Sequence, residues 1–386
     1  MKLLISAGEA SGDQHGARLL AALRKQRLDL SAFGMGGPRL RAEGMSAVVF
    51  SESLSVVGIS EVFEKLPALV RAFRSLVAGA RRERPDAAVL IDFPDFNGLL
   101  SRALRRLRVP LIYYVSPQVW AWRRGRARTI ARRARRIVTL FPFEAEIYRG
   151  LGADAVWAGH PLVDSVREGL AAPYPLPHKT RRRLVLLPGS RTAEIERHWG
   201  PMSEAARGLA RRFDLEVVAV RAAGLPEDLF DGAGEHGITV VAAGMHALLA
   251  AADLAFVASG TATLEAALCG APMVVVYRTS RSSFAVGKML VRVPWISLVN
   301  IVAGEGVVPE LLQDNVNADR LEAEGAAILE SPERSRRMRE GLARTAERLG
   351  PPGGSDRAAA AVLEALEPAS AVPRREPSAR RSRLSR

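Results

Sequence analysis

The densest chemistry in this chain lies in two loops of its second half. Leu184-Val185-Leu186-Leu187 reads as a buried strand running into Pro188-Gly189-Ser190-Arg191 and then a helix opening near Ala193. A tight glycine turn of this kind aims backbone N–H groups and a helix N-terminus at an anion, and Arg191 adds a forked, permanently charged contact. A plain strand-to-helix turn is the alternative reading of the same residues. The second loop leaves a strand at Val257-Ala258 and continues Ser259-Gly260-Thr261-Ala262-Thr263-Leu264-Glu265 into a helix. Its small residues admit a ligand closely, and Ser259, Thr261 or Thr263 can cap the helix or bind phosphate. Glu265 can accept two hydrogen bonds from ribose hydroxyls, or simply complement the helix dipole. Two such loops at strand C-termini of one domain are how open α/β sheets bind a nucleoside diphosphate.

The first half has neither Gly-x-Gly-x-x-Gly nor Gly-Lys-Ser/Thr, so a dinucleotide fingerprint and a P-loop ATPase are both unsupported. It offers Gly8-Glu9-Ala10-Ser11-Gly12-Asp13 after one strand and Ile91-Asp92-Phe93-Pro94-Asp95-Phe96-Asn97 after another. Asp92, at a strand end beside an apolar ring, can have its pKa raised by partial burial and act as a general base. Capping the next turn is its structural alternative, shared with Asp95 and Asn97. His15 and His160 are competing bases.

The elements that position these loops alternate between short apolar strands and helical patterns, the signature of βαβ units. Strands are expected at Lys2–Ser6, Ala87–Ile91, Leu111–Val115 and Ile137–Leu140. A second series is expected at Leu184–Leu187, Leu215–Val220, Ile238–Ala242, Leu254–Val257 and Met273–Tyr277. A helix is expected from Asp13 to Gln26 after a glycine turn. Ala171-Ala172-Pro173-Tyr174-Pro175-Leu176-Pro177 reads as a linker, because alternating prolines fit neither a helix nor a central strand. The reading is a first domain over 1–170, a linker over 171–183, a second domain over 184–345, a last helix over 346–366 and a disordered Arg-rich tail over 367–386.

Length sets the scale: 386 residues suit two α/β domains, and 48% apolar with 25% charged side chains is ordinary globular composition. The net charge of +14 sits almost wholly in two segments. Arg123 to Arg136 holds eight arginines and no acid, and Arg374 to Arg386 holds six arginines and one glutamate. The body is near neutral, which argues against a nucleic-acid coat and for local anion-attracting patches. In the first patch Ala127, Ile130, Ala131, Ala134 and Ile137 form one apolar stripe, so a basic amphipathic helix is expected beside Val119-Trp120-Ala121-Trp122. Val62 to Ala80 adds a wide apolar helix face with Lys65, Arg71 and Arg74 nearby, suited to acyl chains or to an ordinary core. The single Cys269 fits a reducing cytoplasm, the opening residues read as a strand rather than a signal core, and no apolar run of about 18 residues suggests a membrane span.

Taken in order, Ser6–Asp13, Val57–Val62, Ile91–Asn97, Tyr114–Trp122, Phe141–Glu144, Gly159–Pro161, Leu187–Arg191, Ala258–Glu265 and Ser297–Asn300 resemble the lipid-A-disaccharide synthase family. The departures are Phe93, where the family often has alanine, and the arginine-rich tail. The resemblance implies a GT-B-type α/β fold, two Rossmann-like domains facing across a cleft with a C-terminal crossover helix. It implies an inverting glycosyltransferase, with no metal or cofactor, condensing UDP-2,3-diacylglucosamine with 2,3-diacylglucosamine 1-phosphate to give the lipid A disaccharide 1-phosphate and UDP. It assigns an essential aspartate to Asp92, places Glu9 and Asn300 near the cleft, and gives Gly189, Ser190, Arg191, Ser259, Gly260, Thr261, Thr263 and Glu265 to UDP. The implied setting is cytoplasmic, peripheral on the anionic inner leaflet of the cytoplasmic membrane, with no nucleic-acid partner and room for a homodimer. A UDP-N-acetylglucosamine 2-epimerase-like enzyme is the alternative, since it shares the architecture and donor chemistry.

Overall fold

The computed structural model describes residues 1–54, 59–116, 124–174, 176, 181–280, 284 and 294–367, and for 53, 59–65 and 124 the backbone alone. The tail beyond Glu367, the Trp120 to Trp122 stretch and residues 175 and 177–180 of the proline linker lie outside the described residues.

Two parallel sheets organise the molecule. The first joins β1 (Lys2–Ala7), β2 (Ser31–Gly36), β3 (Ser46–Phe50), β4 (Ala87–Ile91), β5 (Leu111–Tyr114), β6 (Arg136–Thr139) and β7 (Ala155–Trp157) in the order 3-2-1-4-5-6-7. The second joins β8 (Arg182–Leu187), β9 (Leu215–Val220), β10 (Ile238–Val241), β11 (Leu254–Ala258), β12 (Met273–Tyr277) and β13 (Glu310–Leu312) in the order 10-9-8-11-12-13. Central strands such as Ala87–Ile91 are buried along their whole length, because helices cover both faces. In each sheet the order reverses once, between β1 and β4 and between β8 and β11, and a crevice opens at the carboxyl ends of those strands. The loops after β1 and β4 carry Glu9 and Asp92; those after β8 and β11 carry Arg191 and Thr261.

The connecting helices are α1 (Ala10–Gln26), α2 (Pro38–Ala42), α3 (Ile59–Glu83), α4 (Pro94–Arg106), α5 (Arg124–Arg133), α6 (Pro142–Gly150), α7 (Leu162–Ala171), α8 (Thr192–Phe213), α9 (Met245–Ala250) and α10 (Thr261–Leu268). Two expectations need correction. Helix α1 begins at Ala10, not Asp13, and the buried Asp13 carboxylate accepts the N–H groups of Gly37, Arg39 and Leu40 at 2.8, 2.9 and 3.0 Å. It caps α2 from a neighbouring helix, which removes it from the chemistry. The basic helix stops at Arg133, and Ile137, the last residue of the expected apolar stripe, belongs to β6, in line with the strand also expected from Ile137. Several arginines of the basic segment bind protein: Arg126 of the helix pairs with Asp95, Arg133 donates to Gly98 O and Ser101 Oγ, and Arg136 of β6 pairs with Asp154 and Glu364.

After the second sheet the chain returns to the first domain. The helix Gly354–Glu364 presents Ala358, Ala359 and Val362, all fully buried, in one cluster with Leu20 and Leu23 of α1. Its small residues let the two helices approach closely, and this apolar contact ties the end of the chain to its beginning. Hydrogen bonds from Arg357 Nε to Ala158 O (2.8 Å) and from Gly353 N–H to Asp164 (2.7 Å) fix its register.

Candidate active site

At the end of β4 the chain turns through two left-handed residues, Asp92 (φ 43°) and Phe93 (φ 47°), before α4 starts at Pro94. Asn97 holds this turn from beneath. Its amide donates to the carbonyls of Asp92 (2.8 Å), Ile91 (3.2 Å) and Ser6 (3.3 Å), and its oxygen accepts the Ser6 hydroxyl at 2.7 Å. The Phe93 ring lies over Gly8, where a Cβ would stand 2.2 Å from the ring, so Gly8 leaves the space the ring fills. Burial, reinforced by the Glu9 carboxylate and opposed by a backbone hydrogen bond from Phe93, pushes the Asp92 carboxyl up to about 7. A carboxylate with that pKa can take a proton near neutrality.

Glu9 and Phe93 open onto a groove of about 920 Å³ between α3 and α4, lined by Leu66, Leu69, Val70, Phe73, Phe96 and Leu99 with Arg74, Arg102 and Arg106 among its lining residues. Leu66, Val70 and Leu99 are 52%, 40% and 58% exposed, a concentration of large apolar side chains in contact with solvent. Beside the groove Arg102, Arg105, Arg106 and Arg133 frame a recess of about 300 Å³. Partial burial lowers the pKa of Arg133, and the charges of Arg102, Arg105 and Arg132 add to it against the opposing effect of Tyr113.

The competing histidines are structural. His15 and His160 meet edge to face at 5.8 Å in the core, and burial drives His15 down to about 4 and His160 well below its ordinary value. His160 Nδ1 accepts the Leu162 N–H at 3.1 Å.

In the second domain Gly189 adopts φ 141°, and the side chain of Glu194 folds over it so closely that a Cβ there would lie 2.5 Å away. Glu194 accepts the Ser190 N–H at 2.9 Å and pairs with the exposed Arg191 at 3.2 Å. An anion already sits on the donors expected to bind one. From below, the buried His198 joins Pro188 O (2.7 Å) to the Arg278 N–H (3.1 Å) and so binds the loop to the end of β12. The second loop enters α10 through Gly260, with Thr261 exposed at the first helical position. Thr263, expected as a phosphate ligand, is fully buried and its hydroxyl donates to Gly260 O at 2.8 Å, so it shapes the turn. The Ser259 hydroxyl donates to Ile296 O at 3.3 Å. Glu265 meets His246 Nε2 at 3.0 Å.

Asn300 and Glu9 separate in role. Glu9 lines the groove, whereas Asn300 is buried with every side-chain bond internal. Its amide donates to Val308 O and Glu310 (2.9 and 2.8 Å), and its oxygen accepts the N–H groups of Val307 and Val308 (2.9 and 3.0 Å). Asn97, Glu194, His198 and His246 are the residues that sequence reasoning passed over or gave a different part; none announces by its spacing which distant backbone it will bind. Among the described residues no three His, Cys, Asp or Glu side chains converge as metal ligands, and no helix is long and apolar enough to cross a membrane.

Two parallel-sheet domains with sites at both switch points define a GT-B-type glycosyltransferase fold. Solved structures agree over nearly the whole chain: the glycotransferase of kitacinnamycin (TM-score 0.66, 16% identity, 95% of this chain and 99% of that one) and the calicheamicin glycosyltransferase (0.63, 15%, 96% and 99%). The UDP-GlcNAc 2-epimerase of Neisseria meningitidis shares the fold too (0.57, 11%, 95% and 99%), at an identity too low to carry an activity. The sequence is more particular. Residues 3–364 match the lipid-A-disaccharide synthetase family model. The lipid-A-disaccharide synthases of Myxococcus xanthus and Geobacter sulfurreducens are each 42% identical, over 95% of this chain and 98% and 97% of those relatives. The chain belongs to the lipid-A-disaccharide synthase family, and it is an enzyme that forms the lipid A disaccharide by glycosyl transfer.

Proposed function

We propose that the enzyme transfers the 2,3-diacylglucosaminyl group of UDP-2,3-diacylglucosamine to the 6-hydroxyl of 2,3-diacylglucosamine 1-phosphate in one in-line displacement with inversion. The observation that carries this reading is Asp92: a carboxyl with a pKa of about 7 beside Glu9 and Phe93, two residues that line an apolar groove. Ionised Asp92 takes the proton of the 6-hydroxyl as the oxygen bonds to the anomeric carbon. The bond from that carbon to the UDP oxygen breaks, and the electron pair leaves on the diphosphate. Gly189, Ser190, Arg191, Gly260 and Thr261 line the place for UDP, where Arg191 and the N-termini of α8 and α10 offset the charge of the leaving group. Glu265 takes the ribose. Ser259, Thr263 and Asn300 act behind them by holding backbone.

The groove suits acyl chains, and the neighbouring arginines suit anionic headgroups, so the working position is peripheral, on the inner face of the cytoplasmic membrane. The test is UDP release from purified UDP-2,3-diacylglucosamine with and without 2,3-diacylglucosamine 1-phosphate, in EDTA, for wild type and Asp92→Asn. Release that needs the acceptor, survives EDTA and collapses in the variant supports the mechanism. Acceptor-independent release would move hydrolysis or epimerisation ahead of it.

A further inference from the structure

Glu265 does not stand alone at its place. Its Oε1 is 3.0 Å from His246 Nε2, both side chains are only 15% exposed, and Oε2 has no hydrogen-bond partner among the described residues. The terminal torsion of a glutamate is soft, so a free carboxylate samples a broad range of planes. A donor fixed on one oxygen sets the plane and thereby the direction of the other. His246 is itself held from across the domain boundary. Gly169 lies in α7 of the first domain, and a Cβ built on it would stand 1.9 Å from His246 Nδ1, 2.8 Å from Cγ and 3.0 Å from Cε1. The imidazole therefore occupies the space that any other residue at 169 would fill. Glycine is disfavoured within a helix; here its missing side chain is what lets α7 close on α9 with the ring between them.

We propose that His246 is a positioning residue for nucleotide recognition: it orients Glu265 toward the ribose, and Gly169 of the opposite domain holds it in place. The inference rests on the assignment of Glu265 to the ribose. It makes UDP recognition depend on the docking of the first domain, since the orienting contact is braced by α7.

The experiment measures dissociation constants of UDP, 2′-deoxy-UDP and 3′-deoxy-UDP by calorimetry on the full chain. Wild type is compared with Glu265→Gln, His246→Phe, His246→Gln and Gly169→Ala. A charge-assisted hydrogen bond to a ribose hydroxyl predicts roughly tenfold preference for UDP over at least one deoxy analogue in wild type. His246→Phe, which keeps a ring and loses the donor, should bring that ratio close to one. His246→Gln, whose amide can donate to Glu265, should retain most of it. Gly169→Ala should lower the ratio although it makes no contact with nucleotide, and alanine does not weaken α7 as a helix. A merely structural role would weaken UDP and its deoxy analogues by the same factor, and that result overturns the proposal. So does a wild-type preference abolished by Glu265→Gln but intact in His246→Phe and Gly169→Ala. Absence of any preference in wild type would instead remove the ribose assignment of Glu265 itself.

Discussion

The main-chain N–H of Asp92 donates to the carbonyl of Val115 at 3.1 Å, and both residues hold left-handed backbone, with φ 43° and 58°. For β-branched Val115 that conformation is sterically costly, and strain of this kind persists only where surrounding contacts over-determine it. Here the contacts are the ends of two neighbouring strands. Val115 N–H donates to Val138 O at 3.3 Å, and Asn97 binds the carbonyl of Asp92. The carboxylate is thus held on a rigid corner at the sheet's switch point.

With Asp92, held at about 7, as the proposed base, the activity is expected to show an acid limb. We expect kcat/KM to rise through about pH 7 as Asp92 ionises, and Glu9→Gln to move that limb downward by removing the neighbouring charge. Asp92→Asn should lose about 10²–10⁴ in kcat. The sign for stability is opposite to that of a salt-bridged acid: the raised pKa removes stability as pH climbs from the ordinary value of 3.8 to about 7, and the whole loss is in place above that. The melting temperature of Asp92→Asn should therefore exceed wild type by about a few degrees at pH 8 and approach it at about pH 4. Melting curves at the two pH values, with pH–rate profiles, test both statements.

Gly8 and Phe93 should be coupled. A methyl at position 8 displaces the Phe93 ring, so Gly8→Ala alone is expected to depress activity, while Gly8→Ala with Phe93→Ala recovers part of it. A coupling of about 1–3 kcal/mol in transition-state free energy is the expected size for residues in direct contact. Strictly additive effects would place the ring elsewhere.

Arg191 and Thr263 should behave differently although both lie in the expected UDP loops. Removing a charge-assisted contact in Arg191→Ala should raise KM for the donor by about 10–100-fold. Thr263→Val removes a buried bond to Gly260 O, so its first effect should be on the melting temperature. Glu194→Gln keeps an acceptor for Ser190 N–H while removing the charge beside Arg191, and UDP should bind it several-fold more tightly in calorimetric titration.

Asn300→Ala leaves the N–H and the carbonyl of Val308 without this partner in a buried place, while the Val307 N–H keeps Glu305 O at 3.1 Å. Each unsatisfied group costs about 1–3 kcal/mol, so a large drop in the urea midpoint is expected. A variant that unfolds like wild type but is inactive would restore a direct part for Asn300 in the chemistry.

The groove and the arginines should separate in vesicle sedimentation. Arg102→Glu with Arg106→Glu should abolish the preference for anionic over neutral vesicles, and raised salt should mimic it. Leu66→Ser with Leu99→Ser should weaken binding to both kinds. Unchanged binding in all of these would remove the membrane-facing part of the proposed function.

Much of the architecture could be read without coordinates. The apolar runs of β1, β4, β5, β8, β9, β11 and β12 and the turns that follow them are local signals, and both nucleotide loops and Asp92 stand at the strand ends where they were expected. Other elements were silent. β2 is Ser31-Ala32-Phe33-Gly34-Met35-Gly36, whose glycines conceal a strand, and β7 and β13 are three residues each. Ile137 is open to two readings, the end of a helical stripe and the start of a strand, and its pairing with Ala155 decides for the strand.

The sequence by itself determined the order of the loops, their residue types and the family to which the chain belongs, because turns, caps and buried strands are written in neighbouring residues. Tertiary structure decided what each polar side chain does. The ionisation of Asp92 depends on Glu9 from another loop, Asn300 binds backbone brought back by β13, Asp13 caps a helix it does not belong to, and Glu265 is met by a histidine lodged against Gly169 of the other domain. Burial, local field and hydrogen-bond partners arise only when elements far apart in the chain pack together.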